Sequence, residues 1–223
     1  MAKLMAQDSV RPPRTIWVGF LLLFGLMGLG YLLWLVQVTR EQAQALRIIG
    51  VVAPFTLTSQ DEKNVSLTDF TNHVWVADII FTRCAGPCPR LTAQMKSLQD
   101  KLPPDSPARL VTLTTDPEFD TPAVLKKYGQ RFGADFSRWT FLTGTKSEIA
   151  ALAGGSLKLS AQAVKPAEQK NDADLFIHTT IFVVVDKRAQ LRGFFETGGD
   201  GVDWTNAVLP KILRTVRQLE NEP

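Results

Sequence analysis

Cys84 and Cys88, in the run Cys84-Ala85-Gly86-Pro87-Cys88-Pro89, are the only two cysteines among 223 residues. They stand where an apolar segment gives way to a helical pattern. On the first turn of a helix, residues four apart share a face. Their Cα atoms would then lie roughly 6 Å apart, within the reach of a disulfide. The same two thiolates can also converge on one soft metal ion. The pair therefore reads as a redox switch, a metal clamp, or both. A disulfide of purely structural value is the weaker reading, because so short a loop constrains the unfolded chain little. Asp78 falls six residues before Cys84, inside the apolar segment. A buried acid is costly unless paired or put to use; its use here would be to accept a thiol proton. Arg83, next to Cys84, reads as a solvated side chain. Asp116 reads equally as a turn residue or as part of the site.

These residues need a scaffold, and the rest of the chain describes one. Residues 54–58 and 65–67 alternate around a polar turn and predict a hairpin. His73–Thr82 is a mostly apolar run suited to the centre of a sheet, with His73 at its outer end as a surface residue. After the cysteines, Leu91, Met95, Leu98 and Leu102 recur at helical spacing. Arg109–Thr114 is the next strand. Thr121-Pro122 opens a helix, with Thr at the cap and Pro at the first helical position; Leu125, Tyr128 and Phe132 form its inner face. Residues 139–142 predict a strand, residues 145–153 a short helix, and Ser160–Asp174 a long loop or extended hairpin. Ile177–Asp186 is a strand that turns at 187–190 into 191–195, where Phe194 and Phe195 read as core. A last helix runs over 203–219, with Pro210 predicting a kink or a late start. This order is that of a thioredoxin-like α/β domain.

The N-terminal part is of another kind. Thr15–Thr39 contains 25 residues and no charged side chain. As a helix it would span roughly 37 Å, enough to cross a hydrocarbon core of about 30 Å. A cleaved signal peptide fits less well, since its apolar region runs to ~7–15 residues before a small-residue cleavage site. Lys3, Arg11 and Arg14 outweigh Asp8 before the span, which predicts a cytoplasmic N-terminus. Trp17, Tyr31 and Trp34 read as interfacial aromatics. The chain thus divides into a cytoplasmic tail (1–14), a single transmembrane anchor in the inner (cell) membrane (15–39), a linker (40–48) and a periplasmic domain (49–223). In that oxidising space two cysteines can persist as a disulfide. With 25 Lys and Arg against 22 Asp and Glu, a net charge of +3 is too mild to point to nucleic acid.

Four segments come in a fixed order: Phe81-Thr82-x-Cys84-x3-Cys88-Pro89, Thr115-Asp116-Pro117-x2-Asp120-Thr121-Pro122, Trp139-x-Phe141-Leu142-Thr143-Gly144, and Ile177-His178-Thr179-Thr180. With these the chain resembles the Sco/SenC family of membrane-anchored, thioredoxin-fold copper proteins, over essentially residues 50 to 220. The resemblance implies that Cys84, Cys88 and His178 bind copper. Two thiolates and an imidazole suit three-coordinate Cu(I), and hold Cu(II) with a further ligand. It also implies a redox-active Cys84–Cys88 disulfide pair, and a role in delivering copper to, or reducing the cysteines of, the CuA centre of a cytochrome c oxidase subunit. Other periplasmic copper chaperones and thiol reductants would then be partners. The chain departs from many family members in having Ala85-Gly86 where they have Pro-Asp.

Three function classes follow. A copper metallochaperone needs Cys84, Cys88 and His178 together. A thiol–disulfide oxidoreductase needs only the cysteines and Asp78 as thiol tuner. Its thioredoxin relatives carry a proline before the hairpin strand, where this chain has His178-Thr179-Thr180. A thiol peroxidase would need a peroxidatic signature that the chain lacks.

Overall fold

The computed structural model describes residues 14–43, 46–159, 180–199 and 201–222. The chain separates into two units, residues 1–45 and 46–223. The first contains helix α1, Arg14–Ala43. Its side chains are described from 22 to 35, where the apolar residues are exposed along the helix and Tyr31 stacks on Trp34 with 5.8 Å between ring centroids. Among the described residues, no helix is long and apolar enough to cross a membrane.

The second unit is built on an eight-stranded sheet. Its strands are β1 (Gly50–Val51), β2 (Thr56–Ser59), β3 (Asn64–Ser66), β4 (Trp75–Ile80), β5 (Arg109–Thr114), β6 (Trp139–Thr143), β7 (Ile181–Val185) and β8 (Gln190–Glu196). Their spatial order is β1-β8-β7-β4-β5-β6-β2-β3. β4, β5 and β6 run parallel, while β7 lies antiparallel to β4. Every residue of β4 is buried, as expected for a strand covered on both faces. Because side chains alternate, Val76 and Ile80 enter one core with α2 (Pro87–Lys101), α3 (Pro122–Arg131) and α5 (Leu209–Asn221). Trp75, Ala77 and Ile79 enter the opposite core with Phe70, Ile149 and Leu152. Ile149 belongs to the short helix α4, Lys146–Ala150.

The sequence pattern and the structure agree on most elements, and the differences are local. The run beginning at His73 enters the sheet only at Trp75 and leaves it after Ile80. His73 is half-buried rather than a bare surface residue, with Nδ1 2.9 Å from the Pro107 carbonyl. Pro210 gives a late start: the chain makes a wide turn over Trp204–Val208, and α5 begins at Leu209 with the proline in its first turn. That position needs no N–H donor. Phe195 is core, but Phe194 is 39% exposed, because neighbours on a strand point to opposite faces. The stretch from Ser160 to Asp174 lies outside the described residues.

Helix α3 begins as its sequence predicts. Thr121 Oγ1 accepts a bond from Val124 N, and Pro122 occupies the first turn. Replacing this cap, Thr121→Ala, is expected to cost about 1 kcal/mol with the fold retained. Urea denaturation followed by circular dichroism measures it; an unchanged midpoint would remove the cap from the account.

Candidate functional site

The cysteines sit where β4 leaves the sheet. After Ile80 the chain makes a turn with Thr82 and Arg83 at its centre, closed by Cys84 N–H donating to the Phe81 carbonyl at 3.2 Å. Helix α2 then starts at Pro87, with Gly86 at its N-cap. Cys84 therefore precedes the helix, and Cys88 alone lies in its first turn. The expectation that both occupy one helical turn is corrected: prolines at 87 and 89 favour a helix start there, because their missing N–H groups are not needed. Both cysteines are reduced thiols in this structure, and both are buried, at 5% and 3% exposure. Ala85 and Gly86 between them are exposed. Burial pushes the Cys88 thiol far up; the neighbouring Cys84 thiol and the Asp78 charge push the same way, against an opposing contribution from the Phe81 backbone.

Beneath the thiols lies an acid. Asp78 stands opposite Thr112 in the parallel β4–β5 register and is fully buried. Thr112 Oγ1 donates to Asp78 Oδ1 at 2.6 Å, and the Trp139 indole N–H donates to Thr112 Oγ1 at 2.9 Å. Among the described residues, Asp78 Oδ2 finds no hydrogen-bond partner. Desolvation raises its pKa to about 7, against the opposing bonds from Thr112 and the backbone. By alternation along β4, Asp78 faces the same core as Val76 and Ile80, the core that contains both cysteines. Tyr128 lies in that core too: Thr92 Oγ1 donates to the Cys88 carbonyl at 3.0 Å and lies 2.8 Å from the Tyr128 hydroxyl. Since the Thr92 proton is committed, the tyrosine donates in that pair.

A second turn flanks the cysteines. β5 ends beside β4, and Thr115 N donates to the Ile80 carbonyl at 2.8 Å. The chain then coils over 116–120, with Asp120 N donating to the Asp116 carbonyl at 2.8 Å. Arg83 is not simply solvated. Its Nη2 meets Asp116 Oδ2 at 2.5 Å, and its guanidinium lies 4.2 Å over the Phe119 ring centroid. Asp120, fully buried, accepts from Thr82 N at 3.1 Å, from Thr82 Oγ1, and from Thr114 Oγ1 at 2.5 Å. Burial raises its pKa, and those bonds oppose the rise. Thr82, Thr112, Thr114, Thr92 and Asp120 had no assigned role in the sequence. The Asp116–Asp120 motif was visible, but nothing in it says that it reaches back across the sheet.

The third side of the site is the start of β7. The antiparallel register, Ala77 opposite Val183, brings that start to the edge where β4 ends. Thr197 N and Oγ1 both donate to the Thr180 carbonyl, at 2.7 and 3.0 Å, and Gln94 Nε2 of α2 donates to the Thr197 carbonyl at 2.8 Å. Gly198 permits this approach, since a Cβ there would fall 2.7 Å from Thr180 Cβ. His178, two positions before Thr180, lies outside the described residues. Among the described residues, no group of three or more His, Cys, Asp or Glu is arranged to hold a metal ion. The two adjacent thiols are a soft donor pair that fits copper better than a hard cation.

Fold and site together describe a thioredoxin-like domain with a dithiol at the head of its first core helix. The sequence profile of the SCO1/SenC family matches residues 43–212. The chain belongs to that family. It is 37% identical over 174 residues to the SCO1 protein homolog of Bacillus subtilis (strain 168), a match covering 77% of this chain and 76% of that one. The structure of BsSco, a member of the Sco family of cytochrome c oxidase assembly proteins with an identified disulfide switch, superimposes with a TM-score of 0.65 at 32% identity. That match covers 81% of this chain and all of the other. Bradyrhizobium japonicum ScoI, solved with copper bound, shares the fold with a TM-score of 0.61 at 20% identity, covering 76% of this chain and 99% of its own.

Proposed function

We propose that the chain is a copper metallochaperone that serves maturation of the CuA centre of a cytochrome c oxidase subunit. Cys84 and Cys88 would hold copper with His178 as third ligand. The observation that carries this reading is the pair of free, buried thiols at the head of α2. The register that brings the start of β7 to the edge where β4 ends supports it. Two thiolates and an imidazole favour Cu(I), and the same set with one more ligand accepts Cu(II). Residues 15–39 would anchor the protein in the inner membrane, with the N-terminus cytoplasmic and residues 49–223 in the periplasm, beside the oxidase. Other periplasmic copper chaperones would supply the metal, and thiol reductants would keep the pair reduced.

Titrating the reduced soluble domain with Cu(I) against a chromophoric chelator tests the reading. One copper per chain is expected, with His178→Ala weakening binding by at least the roughly tenfold to hundredfold that loss of a mere outer-shell partner costs. Full-strength binding by the variant would remove His178 from the site. No binding by the parent chain would end the metallochaperone reading.

A second reading, thiol–disulfide oxidoreductase, is favoured by one observation: on the face that carries the cysteines, Asp78 Oδ2 finds no partner among the described residues. An acid with a pKa near 7 is placed to take a thiol proton as the pair reacts. Reduction of a partner disulfide that survives His178→Ala but is lost in Cys84→Ser would favour this second reading.

A further inference from the structure

We propose that Asp120 is a positioning residue for the thiol pair: its buried carboxylate clamps the turn from which Cys84 hangs and so sets how readily the two sulfurs converge. The inference rests on the proposed copper function for one of its two readouts and is independent of it for the other. The turn runs from Phe81 to Cys84, and its closing bond is Cys84 N to Phe81 O. Its two central residues are Thr82 and Arg83. Thr82 is held at both backbone and side chain, by Asp120 Oδ2 and Oδ1 respectively. The same Oδ2 accepts from Thr114 Oγ1 at 2.5 Å, which ties the clamp to the end of β5.

All three groups facing Asp120 are donors, so an acceptor-only side chain suits the position. Its full burial leaves no water to replace a lost bond. Thr82 and Asp120 are 38 positions apart, so the tether is tertiary rather than local. The neighbouring Arg83–Asp116 pair is half exposed on its arginine side and is the weaker restraint, since such pairs contribute little. A turn freed at Thr82 leaves Cys84 with more orientations, few of which bring its sulfur to Cys88. Both copper binding and disulfide formation need that convergence, so both should weaken together.

The test compares Asp120→Ala, Asp120→Asn, Thr82→Val and a control, Leu57→Ala, in the whole soluble domain. Leu57 lies in the opposite core, away from the cysteines. The first readout is Cu(I) affinity by chelator competition. The second is equilibrium with glutathione: Cys84 and Cys88 give up two protons and two electrons as their S–S bond forms. Glutathione disulfide takes them up as its own S–S bond breaks into two glutathione molecules. Asp120→Ala is expected to lower Cu(I) affinity about tenfold and to shift the exchange equilibrium about tenfold towards the dithiol, which is ~30 mV for this two-electron couple. Thr82→Val should follow in the same direction. Asp120→Asn, which keeps one acceptor oxygen but turns an NH2 donor towards these donors, should recover only part of both. Leu57→Ala should lower the melting temperature and move neither. Equal shifts from Leu57→Ala and Asp120→Ala at matched stability, or no shift from Asp120→Ala, would overturn the proposal. If Asp120→Ala does not fold, Thr82→Val decides: an exchange equilibrium equal to that of the parent chain overturns it. Should the parent chain bind no copper, the copper reading fails while the exchange equilibrium still tests the clamp.

Discussion

Replacing either cysteine with serine is expected to reduce Cu(I) affinity by roughly a thousandfold, about 4 kcal/mol at 1.4 kcal/mol per decade. The effect comes from the donor atom. A serine hydroxyl is a hard, neutral oxygen that stays protonated at neutral pH, whereas thiolate sulfur is soft and matches Cu(I). The substitution should cost far less in folding. Cys84 and Cys88 are buried, and placing a hydroxyl there costs about 1–3 kcal/mol if it finds no partner. Chelator competition and urea denaturation on the same samples separate the two effects. A fall in affinity that merely tracked the loss of stability would mean that the sulfurs are packing groups and not ligands.

The domain is also expected to lose stability as the pH rises from about 4 to about 7, and Asp78→Asn should abolish most of that loss. Burial is the main cause that lifts the Asp78 pKa in the fold to about 7, from the ordinary carboxylate value of 3.8. Between those two values the folded chain holds a proton that the unfolded chain has released. The linkage slope is then negative, and stability falls by about 1.4 kcal/mol per pH unit. The stabilising effect of the neutral acid is complete below about pH 4 and gone above about pH 7. Across the window the total is about 4 kcal/mol, large beside the ~5–15 kcal/mol that keeps a domain folded. Asparagine keeps the acceptor for Thr112 Oγ1 and removes the charge. The variant should therefore match the parent near pH 4 and exceed it by several kcal/mol at pH 8. Urea midpoints at pH 4, 6 and 8 check this; parallel curves for the two proteins would show that the acid stays ionised in the fold. The same variant reports on chemistry. If Asp78 takes the thiol proton, Asp78→Asn slows exchange with glutathione disulfide near neutral pH even though it stabilises the domain.

The core elements were legible because their signals are local. β4 reads from a mostly apolar run, α2 from apolar residues at 91, 95 and 98, and α3 from Thr121-Pro122. Such periods of 2 and 3.6 are set by backbone geometry and need no knowledge of neighbours. The thiol pair and the acid before it were legible for the same reason. Where sequence and structure part, the deciding force is tertiary. Phe194 looks like core by composition, but alternation after a bulge near Val184 and Val185 in the β7–β8 pairing leaves it outward. Arg83 looks solvated beside a reactive cysteine, but Asp116 and Phe119 reach it from another turn.

The amino-acid sequence alone determined which groups are available: two cysteines at a strand-to-helix junction, an acid on the strand before them, and a histidine ahead of a later strand. Alternation also placed Asp78 on the same face of β4 as Val76 and Ile80. It did not say which helices cover that face, because the two faces of a buried strand are equally apolar. Only the packed sheet decided that the cysteine helix lies over Asp78. Only it brought Asp120 to Thr82, 38 positions away. A hydrogen bond between distant residues depends on strand register and on which carboxylate the turn buries, and neither leaves a periodic mark in the chain. The chemistry was written locally, and its positioning was settled by the sheet.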